Sequence, residues 1–139
     1  MPIETQGYAH VRLTVTDIER SRAFYDAVLG LPVAYEVPPD ADEATRDQLW
    51  FLFGGVIYKL GDSLFGLRPV SKDEFDENRT GLDHVCFAVA DKAALDHAVT
   101  VLEDNNVGHA GIKDILVGWI LEFRDPDGIA LELFAPKPA

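Results

Sequence analysis

Two segments of this chain carry the same residue types at the same spacing. The shared pattern is a histidine, two valines and an aspartate, which occur as His10, Val11, Val15 and Asp17 in HVRLTVTD and as His84, Val85, Val89 and Asp91 in HVCFAVAD. The distance along the chain from His10 to His84 is typical of a duplicated supersecondary unit rather than of a short motif. The sequence therefore predicts two modules built alike, each of which opens with a histidine.

Size and charge restrict the class of protein. The 139 residues, 47% of them hydrophobic, suffice for one globular domain with its own core. A formal charge of -12 disfavours nucleic acid and anionic lipid, so neither nucleic acid nor a membrane is expected as a partner. A single cysteine, Cys86, excludes an intrachain disulfide. Because the first residues also lack the apolar stretch of a signal peptide, a cytoplasmic location is expected.

The first module is predicted to contain a strand, a helix and three further strands. Alternating apolar residues indicate a strand over residues 8–15, after which Asp17 is expected to cap a helix that ends at Gly30. The further strands are expected over residues 33–37, 49–60 and 63–69. Residues 38–48 are polar, and predict a loop or a short helix.

The second module repeats this order after a charged linker. We predict a first module over residues 1–70, a linker over 71–81 and a second module over 82–139, all in one compact domain. The second module is expected to have a strand over 82–89, a helix from Asp91 to Asn105 and Asn106, and strands over 109–112, 119–124 and 129–134. The predicted fold is α+β, with two βαβββ modules whose uncovered sheet faces curl toward each other around a cavity.

Three residues on the uncovered sheet faces are candidate metal ligands. Period-two alternation places His10 and His84 opposite the apolar residues of their strands, and it places Glu132 on the same face as His84. A carboxylate within an apolar strand needs a partner, either a divalent ion or a cationic side chain. Two histidines and a carboxylate leave positions for water and substrate on iron, manganese, nickel, cobalt or zinc. Simple hydrogen bonding or solvation of these groups is the alternative.

Other side chains are candidates for ligand contact. Aromatic rings offer stacking surfaces, arginines bind carboxylate or phenolate groups, and a glycine on the free face widens the cavity. The candidates for ligand binding are Arg12, Trp50, Tyr58, Gly66, Arg68, Cys86, Trp119 and Phe134. Either arginine could instead neutralise Glu132 and abolish the metal site. His97 and His109 are expected to be surface residues.

Three segments, HVRLTVTDIERSRAFYDAVLG, GLDHVCFAVAD and FRDPDGIALELFAP, resemble the vicinal-oxygen-chelate superfamily. That group contains glyoxalase I, bleomycin-resistance proteins, fosfomycin-resistance enzymes and extradiol dioxygenases. The resemblance implies two βαβββ modules in a half-open β-barrel around a ligand cavity, usually in a homodimer. It matches His10, His84 and Glu132 to three metal positions, whereas the fourth falls near Gly66, which cannot ligate. The remaining trio resembles the two-histidine, one-carboxylate set of the ring-cleaving dioxygenases.

Two functions follow from the residues together with the resemblance. The first is an enzyme that binds one divalent ion through His10, His84 and Glu132, with Glu132 as the catalytic residue, and chelates vicinal oxygens of a small organic substrate. Its chemistry would be of the lyase, isomerase or ring-cleaving dioxygenase type. The second is a protein without a metal that sequesters an aromatic or cationic antibiotic in a cavity widened at Gly66. Whether the cavity lies within one chain or between exchanged modules of two chains stays open.

Overall fold

The computed structural model describes residues 1–139 and divides them into two units, residues 1–73 and 74–139. The first unit contains the strands β1 (His10–Thr14), β2 (Val33–Tyr35), β3 (Val56–Leu60) and β4 (Ser63–Arg68), the helices α1 (Ile18–Val28) and α2 (Glu43–Gln48), and a 3-10 helix (Trp50–Leu52). The second unit contains the strands β5 (Val85–Ala88), β6 (His109–Ile115), β7 (Gly118–Arg124) and β8 (Ala130–Pro136), and the helix α3 (Lys92–Asp104).

Both units have the same sheet topology. The strand order is β1-β4-β3-β2 in the first sheet and β5-β8-β7-β6 in the second. In each sheet the first and last strands of the unit pair in parallel, and the other neighbours pair antiparallel. The predicted α+β class, with two modules of the βαβββ type, is confirmed. None of the helices combines the length and apolarity that crossing a bilayer requires.

Helix caps lie where the sequence places them. The side chain of Asp17 accepts a hydrogen bond from the backbone N–H of Arg20 at 3.1 Å, and that of Asp91 accepts one from the N–H of Ala94 at 2.9 Å. These bonds satisfy N–H groups that the first turn of a helix leaves unpaired. Gly30 follows α1 with a φ of 59°, a conformation that glycine adopts without a side-chain penalty.

The long helix of each unit, α1 or α3, packs against one face of its sheet. In the first unit the rings of Tyr25 and Phe65 pack with centroids 5.3 Å apart. In the second unit Leu95 and Leu102 of α3 are fully buried, as are Leu121 and Leu131 of the sheet. Because successive strand residues point to opposite faces, this packing leaves the other face of each sheet free for polar side chains.

Two predicted strands differ from the structure. The strand predicted over residues 49–60 is wrong in its first half, where the 3-10 helix and a turn precede β3. Gly54, whose φ of 80° lies in the left-handed region, is part of that turn. The strand predicted over 82–89 starts only at Val85, so His84 precedes β5. Residues 38–48, predicted as a loop or a short helix, contain α2, whose N-cap Asp42 accepts from the N–H of Thr45 at 2.8 Å.

Candidate metal and ligand site

The uncovered face of the second sheet carries a row of polar side chains. Cys86 on β5 pairs in register with Glu132 on β8, and Glu132 pairs with Glu122 on β7. Like charges directly opposite each other on neighbouring strands repel. Lys113 of β6 offsets part of this repulsion, because its ammonium lies 3.0 Å from Glu122 Oε1. The row therefore presents acids on a face that no helix of the unit covers.

His84 faces Glu132 across this row. Its Nε2 atom is 3.7 Å from Glu132 Oε2, and its Nδ1 atom is 2.6 Å from Asp83 Oδ1. The contact with Asp83 orients the ring and directs Nε2 toward Glu132. The hydrogen bond to Asp83 raises the pKa of His84, partial burial opposes that shift, and the charge of Glu132 adds to it. The side chain of Glu132 is only 19% exposed.

The chemistry of these two donors fits a divalent ion. Imidazole nitrogen and carboxylate oxygen both bind such ions with bonds of roughly 2.0–2.2 Å. The 3.7 Å separation is shorter than two bonds laid end to end, so one ion can reach both atoms. Partial burial of the sulfur, together with Glu132, raises the pKa of the Cys86 thiol to about 11. Cys86 is thus a neutral thiol that donates to Glu132 Oε1 at 3.5 Å, rather than a thiolate ligand.

His10, the third predicted ligand, belongs to the first unit. It begins β1 and pairs in register with Leu64 of β4. The structure contains no group of three or more His, Cys, Asp or Glu side chains arranged to hold an ion. The second unit thus brings together two of the three predicted ligands, and the contribution of His10 stays a prediction.

An open pocket of about 670 Å³ surrounds the His84–Glu132 pair. Its charged and titratable lining consists of Glu77, Asp83, His84, His109, Glu122, Arg124 and Glu132. Carboxylates outnumber the one arginine, and a concave surface lined by one sign of charge concentrates ions of the other sign. Four of these lining residues, Asp83, Glu122, Glu77 and Arg124, are not among the candidates that the sequence predicts. Alternation along β7 places Glu122 and Arg124 on the face of Glu132, whereas Asp83 and Glu77 lie outside the strands.

The structure places His109 in the pocket rather than at the surface, where the sequence predicts it. Its side chain is only 17% exposed and lines the pocket. The N–H of Gly111 donates to His109 Nδ1 at 3.0 Å, so the ring proton is on Nε2. The Nε2 atom lies 3.2 Å from Glu103 Oε1 and donates to it. Both ring nitrogens are therefore engaged, and His109 is not free to bind an ion. His97 is exposed on α3, as predicted.

Arg124 closes one side of the pocket through a bidentate ion pair. Its two terminal nitrogens donate to the carboxylate of Glu77 at 3.3 and 2.5 Å, and one of them also donates to the carbonyl of Gly128 at 2.8 Å. The hydrogen bonds from Arg124 lower the pKa of Glu77 to about 2. Fork-to-fork pairing of this kind holds a carboxylate ionised.

This pair predicts a specific pH dependence. Because the pKa of Glu77 is lower in the folded chain than its ordinary value of 4.5, the pair stabilises the fold above that value. The contribution is lost as the pH falls toward 2. Carboxyl NMR titration of the Arg124→Gln variant should show the midpoint of Glu77 rising toward its ordinary value. The Arg22→Gln variant, which breaks the Arg22–Glu36 pair of the first unit, should leave it unchanged. An ordinary midpoint for Glu77 in the wild type would contradict the assignment.

Among the remaining candidates of the first unit, the structure places Gly66 and Tyr58 differently from the prediction. A Cβ atom on Gly66 would lie 2.9 Å from Cγ of Arg12, so the space that the glycine leaves is occupied by Arg12 rather than added to a cavity. Tyr58 is 1% exposed and donates from its hydroxyl to Asp26 Oδ1 at 3.0 Å, which places it in the core on the helix side. Trp50 is exposed, and Arg68 lies on the uncovered face with Arg12.

The two aromatic candidates of the second unit lie on opposite faces of its sheet. Trp119 shares a face with Leu121 and Phe123, and the ammonium of Lys137 lies 5.7 Å from its ring centroid. Trp119 therefore lies on the helix side of the sheet and not, as predicted, on the face of the cavity. Phe134 lies on the face of Glu132, half-buried, with its ring against Gly118. Phe134 stays a candidate for ligand contact.

Comparison with known proteins gives consistent matches. Residues 7–133 match the family model of the Glyoxalase/Bleomycin resistance protein/Dioxygenase superfamily. The chain is 32% identical over 127 residues to the uncharacterized protein YaeR of Escherichia coli (strain K12), which covers 90% of this chain and 92% of YaeR. It is 29% identical over 132 residues to the catechol-2,3-dioxygenase of Bacillus subtilis (strain 168), which covers 95% of this chain and 41% of that protein. The chain thus spans less than half of the dioxygenase.

Among solved structures, the chain is similar to a glyoxylase/bleomycin resistance protein/dioxygenase domain from Frankia sp. EAN1pec. The TM-score is 0.77 at 27% sequence identity, and the match covers 98% of this chain and 96% of the Frankia domain. The similarity therefore extends over both units of the chain.

Proposed function

The chain belongs to the Glyoxalase/Bleomycin resistance protein/Dioxygenase superfamily, and from that premise we propose that it is a divalent-metal-dependent enzyme. Its substrate would be a small organic molecule with vicinal oxygens, and its reaction of the lyase, isomerase or ring-cleaving dioxygenase type. The observation that carries the proposal is the 3.7 Å approach of His84 Nε2 to Glu132 Oε2 on the uncovered face of the second sheet. The likeness to a catechol-2,3-dioxygenase supports an oxygen-chelating substrate.

The residues of the second unit would hold the ion as follows. Asp83 keeps its carboxylate on the Nδ1 side of His84, which leaves Nε2 for the ion. Cys86 donates to one oxygen of Glu132 and leaves the other toward His84. His10 would be the third ligand. When bound, a divalent ion supplies Lewis acidity that polarises the oxygens of a chelating substrate.

A ligand carboxylate is a poor proton acceptor, so proton transfer needs a further group. Glu122 lies directly opposite Glu132 in register, lines the same pocket and has a side chain that is 45% exposed. Its Oε1 atom lies 3.0 Å from the ammonium of Lys113, so its carboxylate is held in place on this face of the sheet. We assign Glu122 as the candidate general base of the proposed reaction.

Metal analysis tests this function. Wild-type protein purified without a chelating tag should carry about one equivalent of divalent ion per chain, since one set of ligands is proposed. The His84→Ala variant should lose it, because Nε2 is one of the ligands. The His97→Ala variant is the matched control, because His97 is exposed on α3 and should keep the ion. An unchanged metal content in the His84→Ala variant would exclude the proposed site.

A second candidate is a protein without a metal that sequesters an aromatic antibiotic. It is favoured by the exposure of Trp50, at 68%, and Phe53, at 46%, in the first unit. Ion-free protein should then bind a fluorescent aromatic drug tightly, and the His84→Ala variant should bind it equally well. The homodimer that the family resemblance implies stays a prediction under both candidates.

A further inference from the structure

Two arginines of the first unit converge at the end of the 3-10 helix. Arg12 donates from Nη2 to the carbonyl of Leu52 at 3.4 Å, and the guanidinium carbon of Arg68 lies 4.3 Å from the ring centroid of Phe53. Leu52 and Phe53 are consecutive residues. The two cationic groups are therefore neighbours, although they come from different strands.

The strand register builds this arrangement. Arg12 on β1 pairs with Gly66 on β4, and Thr14 pairs with Arg68 two residues further along the same parallel pair. Arg12 and Arg68 thus lie diagonally on one face of the sheet. The missing side chain at Gly66 leaves room for Arg12 to cross the sheet, because a Cβ there would lie 2.9 Å from Arg12 Cγ.

The turn after the 3-10 helix holds an aromatic ring in an uncommon conformation. Phe53 has a φ of 52°, in the left-handed region that non-glycine residues rarely adopt. Such conformations persist where the surroundings fix them, and they concentrate at binding sites. Here the following Gly55 packs directly against the backbone of Leu67, and the turn directs the Phe53 ring onto Arg68.

Neither guanidinium is neutralised. Arg12 and Arg68 take part in no ion pair, although the chain carries a formal charge of -12 and has acids available. The Nε atom of Arg12 is buried without a hydrogen-bond partner. Burial, and then the charge of Arg68, lower the pKa of Arg12. Two adjacent guanidinium groups that lack an ion pair leave a position that an anion would satisfy.

Exposed aromatic rings adjoin the two cations. The ring centroid of Trp50 lies 6.1 Å from that of Phe53, at an interplanar angle of 80°. Both rings are exposed and adjacent, and a contiguous exposed apolar patch is typical of a ligand or partner site. Because the two rings are nearly perpendicular, the ring of a bound ligand would contact the face of one and the edge of the other.

We propose that Arg12 and Arg68 bind the carboxylate of an aromatic acid whose ring packs on Trp50 and Phe53. The planar fork of a guanidinium matches the two oxygens of a carboxylate, and the adjacent rings select an anion attached to a flat apolar body. Inorganic phosphate offers the charge without the ring. The site lies within the first unit and is separate from the proposed metal site, and its two arginines select an anionic aromatic ligand.

Calorimetric titration of ion-free protein at low salt tests the proposal with three probes. Benzoate should bind, whereas benzyl alcohol, which has the ring without the charge, and inorganic phosphate should each bind at least about tenfold more weakly. Equal binding of phosphate and benzoate would overturn the aromatic part of the site. Equal binding of benzyl alcohol would overturn the role of the arginines.

Variants identify the residues. Arg68→Gln should lower benzoate affinity at least about tenfold, because it removes a charge-assisted contact. Arg46→Gln is the matched control, because Arg46 is an exposed arginine of the same unit that donates only to the carbonyls of Ala41 and Pro39. Trp50→Ala should weaken benzoate binding and leave phosphate binding unchanged. Full benzoate affinity in the Arg68→Gln variant would overturn the proposal.

The same titration separates this site from the metal site. His84→Ala should bind benzoate like the wild type, because His84 belongs to the second unit. Loss of benzoate binding in that variant would contradict a site confined to the first unit. Conversely, a wild type that binds benzoate but carries no metal would leave this site standing while the proposed enzyme function fails.

Discussion

Replacing Asp83 with alanine is expected to weaken Zn²⁺ binding about 10-fold to 100-fold, the usual cost of losing a group that orients a metal ligand. Asp83 Oδ1 lies 2.6 Å from His84 Nδ1 and fixes which nitrogen of the ring faces Glu132. Without this acceptor the ring rotates more freely, and the imidazole becomes less basic because the hydrogen bond that raises its pKa is lost. Calorimetric titration of ion-free protein with Zn²⁺ measures the change.

The matched control for this variant is Asp96→Ala. Asp96 is an exposed aspartate of the same unit, paired only with Lys92 on α3 at 3.3 Å, and its loss changes the net charge equally. Its Zn²⁺ affinity should equal that of the wild type. If Asp96→Ala weakens binding as much as Asp83→Ala does, the effect is one of overall charge, and the role assigned to Asp83 is wrong.

Replacing Gly55 with alanine is expected to lower the free energy of unfolding by about 3 kcal/mol, the upper range for inserting an atom into a packed site. A Cβ at this position would overlap the carbonyl oxygen of Leu67, and it would also lie close to the carbonyl oxygen of Leu52. Both obstacles are backbone atoms, so no side chain can rotate away, and β3 must separate from β4. Urea denaturation followed by circular dichroism measures the loss.

Gly108→Ala is the matched control for Gly55→Ala. A Cβ on Gly108 meets no atom within 4 Å, and its backbone is not in the left-handed region. Its free energy of unfolding should change by less than about 1 kcal/mol, and alanine can stabilise such a position by restricting the unfolded chain. Equal stability of the two variants would show that the β3–β4 contact at Gly55 is looser than described.

Much of the fold follows from local sequence. The duplicated pattern predicts two similar modules, and the caps Asp17 and Asp91 follow from the need of a helix for N–H acceptors. The turn before β8 is equally local, since Asp125 Oδ1 accepts from the N–H groups of Asp127 and Ile129 at 2.9 Å. These features depend on neighbours in the chain, so a sequence pattern captures them.

The segment between α2 and β3 could not be predicted in this way. Its run of apolar residues is typical of a strand, yet it forms a 3-10 helix and a turn, after which Gly55 packs against the backbone of Leu67. That contact joins a residue before β3 to a residue of β4, so no local pattern reports it. Phe53 and Trp50 lie in this irregular segment, so period-two alternation does not predict where their side chains point.

The candidate site was predictable where the strands are regular. Alternation along β8 places Glu132 on the uncovered face, and alternation along β7 separates Trp119 from Glu122 when it is applied consistently. Asp83 lies before β5, outside the strand, so period-two alternation does not predict which way its side chain points. A register irregularity in β6 follows His109 and hides its place in the pocket. Aromatic residue type indicates burial but not a face, so it does not distinguish the core position of Tyr58 from a position in the cavity.

The most direct test of the metal site is X-ray diffraction at the zinc absorption edge from crystals grown with Zn²⁺. We predict one anomalous peak per chain, roughly 2.0–2.2 Å from Nε2 of His84 and from a carboxylate oxygen of Glu132. Anomalous peaks that contact neither His84 nor Glu132 would contradict the account.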